Sequence, residues 1–146
     1  ETLRTRLVPR ATVLTPNVPE AEALSGMTAT DEASLDHMAE VLLSLGPQAV
    51  LLKGGHREGD IVRDRLVTAD GTRIFENPRI DTMHTHGTGC TLASSIAAGI
   101  AQGLSLADAV ERAEAYLHEA IRTAPGLGGG HGPVNHLHTV GDFRAL

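Results

Sequence analysis

The stretch AVLLKGG, residues 49–55, decides the fold class that this chain favours. Four consecutive apolar residues, with no polar residue alternating among them, are typical of a strand that is buried on both faces. Two glycines end the run directly after a lysine. A second run, ATVLT at residues 11–15, is rich in β-branched residues, ends at Pro16 and predicts another buried strand.

Helices are predicted around these two strands. They are expected at residues 2–7, 19–24, 31–46, about 90–103 and about 106–123. Pro19 stands at or near the first position of the second helix, and Gly26 stops it. Thr30 or Asp31 can cap the third helix, and Ser105 or a neighbour can cap the last.

Asp70 and Gly71 separate residues 63–68 from residues 72–75, and this pattern predicts a β-hairpin. Buried strands alternating with helices, followed by a hairpin, favour an α/β sandwich with antiparallel strands at one edge. Residues 54–61 are glycine-rich and charged and predict an exposed loop, and the tail from residue 126 to 146 is expected to be mostly loop. We see no internal domain boundary, and the predicted sheet is small for this architecture.

Composition limits the function further. The 146 residues include two Phe, one Tyr and no Trp, so we expect a core of Ala, Val, Leu and Ile. The formal net charge of −6 argues against a nucleic-acid partner, which would require a basic face. The single cysteine cannot form an internal disulfide, and no apolar stretch approaches 18 residues. We therefore expect a cytoplasmic protein with no membrane partner.

The segment Gly87-Thr88-Gly89-Cys90 is the first candidate site. It stands where a loop becomes a helix, and the unpaired N–H groups of a helix N-terminus bind anions. Glycines allow a phosphate to approach the backbone closely, and the same field favours the thiolate form of Cys90. The alternative is a tight loop that carries a buried thiol, and the pattern favours neither interpretation.

Asn17 and Glu20 form a second candidate site after the first predicted strand. Ligands of α/β proteins bind outside the carboxyl ends of strands, and an acid there can hold Mg²⁺, usually through water. The alternative is purely structural, with Asn17 capping a helix and Glu20 complementing its dipole.

Lys53, with Gly54 and Gly55, forms the third candidate. A lysine at the end of a buried strand can meet a phosphate, although a solvated lysine before a turn is the simpler interpretation. All three candidates lie where strands end or helices begin, and all suit phosphate or Mg²⁺. Together they predict a nucleotide-phosphate site at one edge of the sheet.

Four segments resemble the hydroxymethylpyrimidine/phosphomethylpyrimidine kinases of thiamine biosynthesis, which belong to the ribokinase-like superfamily. They are TPNVPEAEAL (15–24), LKGGH (52–56), THGTGCTL (85–92) and GHGPVNH (130–136). The resemblance spans essentially the whole chain, and the motifs stand in the family's order. It implies a three-layer α/β/α sandwich, of which this chain would be the C-terminal portion. It also implies ATP- and Mg²⁺-dependent phosphorylation of a small pyrimidine alcohol.

The resemblance assigns roles to the candidate residues. Gly87, Thr88 and Gly89, with the Cys90 amide, would form the anion hole for the transferring phosphoryl group. Cys90 would be the catalytic base, at a position where sugar-kinase relatives carry Asp.

The same resemblance covers the other two candidates. Asn17 and Glu20 match a motif that positions Mg²⁺ and the ATP phosphates. Lys53 would contact those phosphates, and the loop from Gly54 to about Ile61 would act as a flap.

Members of this family are nearly twice as long, so residues 1–146 would be the C-terminal half of a single kinase domain. We expect a piece of a longer protein that folds poorly or associates when it is isolated. The full-length protein is expected to be a homodimer. Two alternatives stay open, namely a pyridoxal kinase and a catalytically incomplete fragment that binds nucleotide without turnover.

Overall fold

The computed structural model describes residues 1–55 and 59–140. The chain divides into two compact units, Glu1–Arg79 and Ile80–Leu146, a division that no sequence pattern marks. Part of the predicted 54–61 loop, residues 56–58, and the end of the predicted tail, residues 141–146, lie outside the described residues. That the chain is half of a single domain stays a prediction.

The first unit contains two helices, α1 and α2, and three strands, β1 to β3. Their bounds are α1 Val18–Ser25, α2 Glu32–Ser44, β1 Ala49–Leu52, β2 Ile61–Thr68 and β3 Gly71–Pro78. A five-residue π-helix, Leu3–Leu7, and a 3-10 turn, Val8–Arg10, precede them, so the predicted N-terminal helix forms but is not an α-helix.

The helix starts of the first unit follow from local hydrogen bonds. Asp31 caps α2 by accepting from the Ser34 N–H, and the Ser34 side chain accepts from the Asp31 N–H in return. Gly26 ends α1 in the left-handed conformation, at a φ of 76°, which a glycine adopts without the cost that a Cβ would impose. The predicted stop at Gly26 and the predicted cap at Asp31 are confirmed.

The three strands form one antiparallel sheet in the order β1-β2-β3. The predicted strand at residues 11–15 is not regular, because only one isolated parallel bridge joins it to the sheet, at Leu14 with Val50. A second isolated bridge follows just beyond it, at Asn17 with Lys53. The Leu14 N–H donates to the Ala49 carbonyl at 2.9 Å, but Pro16 has no N–H to continue the ladder. Leu14 is also only half-buried, so the prediction of a buried strand was wrong here.

The predicted hairpin forms between β2 and β3, but its turn is shifted by one residue. Thr68 pairs with Gly71, so Ala69 and Asp70 are the two connecting residues and Gly71 opens β3 at a φ of 133°. In the sequence, Asp-Gly suggests that both residues occupy the turn. Here only the glycine adopts a positive φ, and it does so from the first position of the strand.

The core of the first unit is aliphatic, as the composition predicts. The residues of α2 that face the sheet are fully buried, and they pack with Val50, Leu52 and Val67. They are Leu35, Met38, Ala39 and Leu42. Burial of one such large side chain stabilises the fold by about 1.5–3 kcal/mol, so this contact fixes α2 on the sheet.

The second unit contains two helices, α3 Thr88–Ala101 and α4 Leu106–Arg122. Ser105 caps α4, as predicted, by accepting from the Asp108 N–H. A Cβ at Gly99 would lie 2.8 Å from the Cβ of Ala109, so the glycine permits α3 and α4 to pack closely. Between residues 126 and 140 the predicted loop is confirmed. No helix of the described residues is both long and apolar enough to cross a membrane.

Candidate active site

The N-terminus of α3 has an unusual backbone. Helix α3 begins at Thr88, two residues before the predicted start, so Thr88 and Gly89 belong to the helix and Gly87 is its N-cap. Gly87 adopts a φ of 87°, which favours glycine. Its carbonyl oxygen accepts from the Thr91 N–H at 2.9 Å and from the Thr91 hydroxyl at 2.8 Å. Thr91 lies in the motif at residues 85–92, which assigned it no role, and it holds the Gly87 peptide in place.

This helix end is open to an anion. Among the α-helices of residues 1–55 and 59–140, only α3 lacks a side-chain cap, whereas Asn17, Asp31 and Ser105 cap the others. The N–H groups of Gly89 and Cys90 make no hydrogen bond to any described residue. Unpaired donors at the positive end of a helix dipole attract negative charge. The arrangement can hold a phosphate oxygen.

Cys90 lies in the first turn of α3, and its side chain is exposed. The alternative of a buried structural thiol is therefore wrong. An exposed thiol beside unpaired amide donors can reach a ligand that those donors hold.

Asn17 and Glu20 form a reciprocal cap at the start of α1. The Glu20 N–H donates to Asn17 Oδ1 at 2.8 Å, and the Asn17 N–H donates to Glu20 Oε2 at 2.8 Å. The structural interpretation of both residues is thus confirmed. This geometry occupies Asn17 Oδ1 and leaves the Nδ2 amino group as the donor of that side chain. It uses one oxygen of the exposed Glu20 carboxylate.

Lys53 directly follows β1 and lies beside Asn17. The two residues form a parallel bridge, and the Lys53 N–H donates to the Pro16 carbonyl at 2.9 Å. Two of the predicted sites, one at the start of α1 and one at the end of β1, therefore meet at the same edge of the first unit. The Lys53 side chain is half-buried.

Gly54 is buried and tightly packed against β2. Its N–H donates to the Asp64 carboxylate at 2.8 Å, so this amide is already engaged. A Cβ at Gly54 would lie 2.1 Å from the Arg63 carbonyl oxygen, a distance that no side chain tolerates. Asp64, only 6% exposed, was missed by sequence reasoning. The sequence offers one indication of this role, namely that Asp64 is a single acidic residue within the strand pattern of β2.

Gly55 is exposed, and its carbonyl accepts from Arg79 Nη1 at 3.0 Å. Arg79 Nε donates to the Gly59 carbonyl at 2.6 Å, so one guanidinium joins residues on both sides of the 56–58 segment. Nothing in the sequence indicated this role for Arg79, which lies 20 residues from Gly59 in the chain.

The structure thus brings Asn17, Glu20, Lys53 and Gly54 together in the first unit. The group Gly87–Cys90 belongs to the second unit and forms its own cluster at the start of α3. Within the described part of the chain, no three His, Cys, Asp or Glu side chains gather as a metal site.

Solved structures with the same fold place the molecule in a class. An ADP complex of Bacillus subtilis pyridoxal kinase matches with a TM-score of 0.89 and 33% identity, over 94% of this chain and 54% of that one. A phosphomethylpyrimidine kinase from Clostridium difficile matches with a TM-score of 0.69 and 34% identity, over 82% and 47%. The fold is that of the ribokinase-like kinases, and this chain represents part of the domain.

The family follows from the sequence comparison. The model of the family described as phosphomethylpyrimidine kinase matches residues 1–135, and the chain belongs to this family. A hydroxymethylpyrimidine/phosphomethylpyrimidine kinase from Streptomyces coelicolor is 46% identical over 97% of this chain and 52% of its own length. The thiamine biosynthesis bifunctional protein ThiED from Geobacter sulfurreducens is 50% identical over 97% and 29%. The chain spans about half the length of most of the curated relatives it matches.

Proposed function

We propose that the protein carrying this chain phosphorylates 4-amino-5-hydroxymethyl-2-methylpyrimidine and its monophosphate, with ATP and Mg²⁺, in thiamine diphosphate biosynthesis. The observation that carries this proposal is the uncapped N-terminus of α3, where the Gly89 and Cys90 amides are free to bind an anion. Membership of the phosphomethylpyrimidine kinase family supports the choice of substrate.

In this proposal the start of α3 stabilises the transition state. Phosphoryl transfer depends mainly on positioning and on charge stabilisation. The Gly89 and Cys90 N–H groups, with Gly87 and Thr88 shaping the turn, donate to the oxygens of the transferring γ-phosphoryl group. Donors that are fixed before the reaction need no reorganisation when charge develops, and this increases their effect.

Cys90 acts as the general base in the same proposal. Its exposed side chain, as the thiolate, accepts the proton of the substrate's primary alcohol while the alcohol oxygen attacks the γ-phosphorus, the bond from the γ-phosphorus to the bridging oxygen breaks and ADP leaves. General base catalysis typically contributes a factor of about 10²–10⁴ to the rate.

The edge formed by Asn17 and Lys53 binds the ATP phosphates. The Asn17 Nδ2 group, left over by the helix cap, donates to a phosphate oxygen, and the Lys53 ammonium pairs with phosphate charge. Gly54 and Gly55 shape the turn after Lys53. Glu20 would hold Mg²⁺ through its carboxylate, largely by way of water, and the ion would neutralise phosphate charge when bound.

A substitution of Cys90 tests the proposal in the protein at its full natural length. Cys90→Ala is expected to lower kcat for ATP-dependent phosphorylation of the pyrimidine alcohol by about 10²–10⁴, because it removes the base. The matched control is Ser94→Ala, an exposed position on the same helix, which should leave kcat unchanged. Equal kcat values for both variants would contradict a catalytic Cys90, and a wild type without turnover would favour the nucleotide-binding alternative.

Pyridoxal is the second candidate substrate. The structural match to the pyridoxal kinase of Bacillus subtilis, at a TM-score of 0.89, supports it. Both compounds carry a primary alcohol on a heteroaromatic ring, so the site at α3 would serve either. Comparison of kcat/KM for the two alcohols, measured by ADP release, decides between them.

The remaining expectations about partners stay predictions. These are a homodimer of the full-length protein, a cytoplasmic location and the absence of nucleic-acid and membrane partners. The net charge of −6 supports the exclusion of nucleic acid.

A further inference from the structure

The tail of the chain packs against the loop that leads into α3. The His86 N–H donates to the Gly132 carbonyl at 3.1 Å, and His86 and Pro133 form a parallel bridge. The His131 ring donates from Nδ1 to the Met83 carbonyl at 3.0 Å. Residues 131–135, which we call the tail strap, thus hold the backbone immediately before Gly87.

The other end of the tail strap is fixed to the end of α4. The Asn135 N–H donates to the Ala120 carbonyl at 2.9 Å, and Asn135 Nδ2 donates to the Thr123 hydroxyl at 3.1 Å. Val134, which precedes Asn135, is only 3% exposed. The strap therefore connects a rigid helix to the loop at the start of α3.

Gly132 is tightly packed where the strap meets the loop before α3. A Cβ at this residue would lie 2.5 Å from Nδ1 of His84 and 2.7 Å from the Leu127 carbonyl oxygen. A Cβ does not approach other atoms this closely in real proteins, so a larger residue must displace the strap itself, the His84 ring or the Leu127 backbone. At Gly129 and Gly130, three and two residues earlier in the chain, a Cβ would meet nothing within 4 Å.

We propose that the tail strap positions the anion-binding amides of α3, with Gly132 as its critical positioning residue. The strap acts on the start of α3 through His86, because the strap binds the His86 N–H and His86 directly precedes Gly87. A shift of His86 rotates the Gly87 peptide and re-aims the Gly89 and Cys90 N–H groups. The inference rests on the proposed function for its catalytic consequence, but the position of the amides can be measured without turnover.

The test compares Gly132→Ala with Gly130→Ala in the protein at its full natural length. Gly132→Ala is expected to lower kcat by about 10- to 100-fold with little change in KM for the pyrimidine alcohol, because the affected donors act on the transition state. It should also shift the amide ¹H and ¹⁵N resonances of Gly87, Gly89 and Cys90. Gly130→Ala should match the wild type in both measurements.

A second variant covers the case in which Gly132→Ala does not fold. His131→Ala removes the contact with the Met83 carbonyl and introduces no clash, so it should give the same amide shifts and a kcat loss of a few-fold. Unshifted Gly87–Cys90 amides in the folded variant, or shifted amides with wild-type kcat, would overturn the inference. If the wild type phosphorylates neither alcohol, the proposed function fails. The positioning role of the strap is then tested by the amide shifts and by the affinity for ADP. This affinity should weaken in Gly132→Ala and His131→Ala but not in Gly130→Ala.

Discussion

At the scale of single residues, glycines decide where this chain can approach itself. Gly54 and Gly55 are adjacent and alike in sequence, but their surroundings differ. Gly54 is buried against the Arg63 carbonyl and donates to Asp64, whereas Gly55 is exposed with open space where a Cβ would stand. Substitution of each glycine in turn therefore distinguishes the cost of a close contact from the cost of replacing a glycine.

Gly54→Ala is expected to lower the free energy of unfolding by about 2–3 kcal/mol, the upper part of the range for overpacking. The cause is the 2.1 Å approach of the new Cβ to the Arg63 carbonyl, which forces β2 or the turn after Lys53 to move. Gly55→Ala, the control, should change stability by no more than about 0.5 kcal/mol. Urea denaturation of the full-length protein measures both, and similar midpoints for the two variants would show that the close contact is absent in solution.

At the scale of elements, an ion-pair cluster joins α2 to β2. Arg65 is 4% exposed, its Nε lies 2.8 Å from Asp36 Oδ1, and its Nη2 contacts Glu32. Burial lowers the pKa of Arg65, because removal of the guanidinium from water disfavours its charged form. Arg63, two residues earlier on the strand, pairs with Glu76 at 2.6 Å but is 51% exposed.

Arg65→Ala should lower the free energy of unfolding by about 1–3 kcal/mol, less than for a fully buried pair because both carboxylates can regain water. Arg63→Ala is the matched control, and loss of its exposed pair should cost at most about 1 kcal/mol. Thermal or urea unfolding, followed by circular dichroism, compares the two. The assignment of Arg65 as the connection between α2 and β2 would be wrong if Arg63→Ala were the more damaging change.

At the scale of the whole molecule, the segment at residues 11–17 is a partly paired edge. Leu14 bonds to β1, but the N–H groups of Val13 and Thr15 make no hydrogen bond to any described residue. Unpaired backbone groups along a strand edge are a template for pairing with another chain. Leu3 and Leu7, 50% and 61% exposed, add apolar surface to the first unit.

Residues 1–146 produced alone are therefore expected to associate or to unfold without a sharp transition. Sedimentation velocity and a thermal melt measure this. Leu3→Lys with Leu7→Lys should reduce the association if the apolar surface drives it. A monomeric chain with a cooperative melt would count heavily against the expectation.

The sequence by itself determined most of the local structure. Some features depend only on residues a few positions apart, so the local sequence is sufficient to predict them. They are the helix caps at Asn17, Asp31 and Ser105, the helix end at Gly26 and the hairpin. The family motifs are read in the same local way, and they led to the correct family. The buried aliphatic run of β1 also indicated its position without further context.

Only the tertiary structure decided which distant groups meet. The bridge that brings Asn17 to Lys53, the Asp64 carboxylate on the Gly54 amide and the tail strap on the His86 loop all join residues 10 or more positions apart. The strand predicted at residues 11–15 was also decided by a distant segment. A regular ladder with β1 would need a hydrogen bond from the N–H of residue 16, and Pro16 has no N–H. A sequence pattern records what each residue prefers, but a hydrogen bond between distant segments also depends on how the chain between them folds.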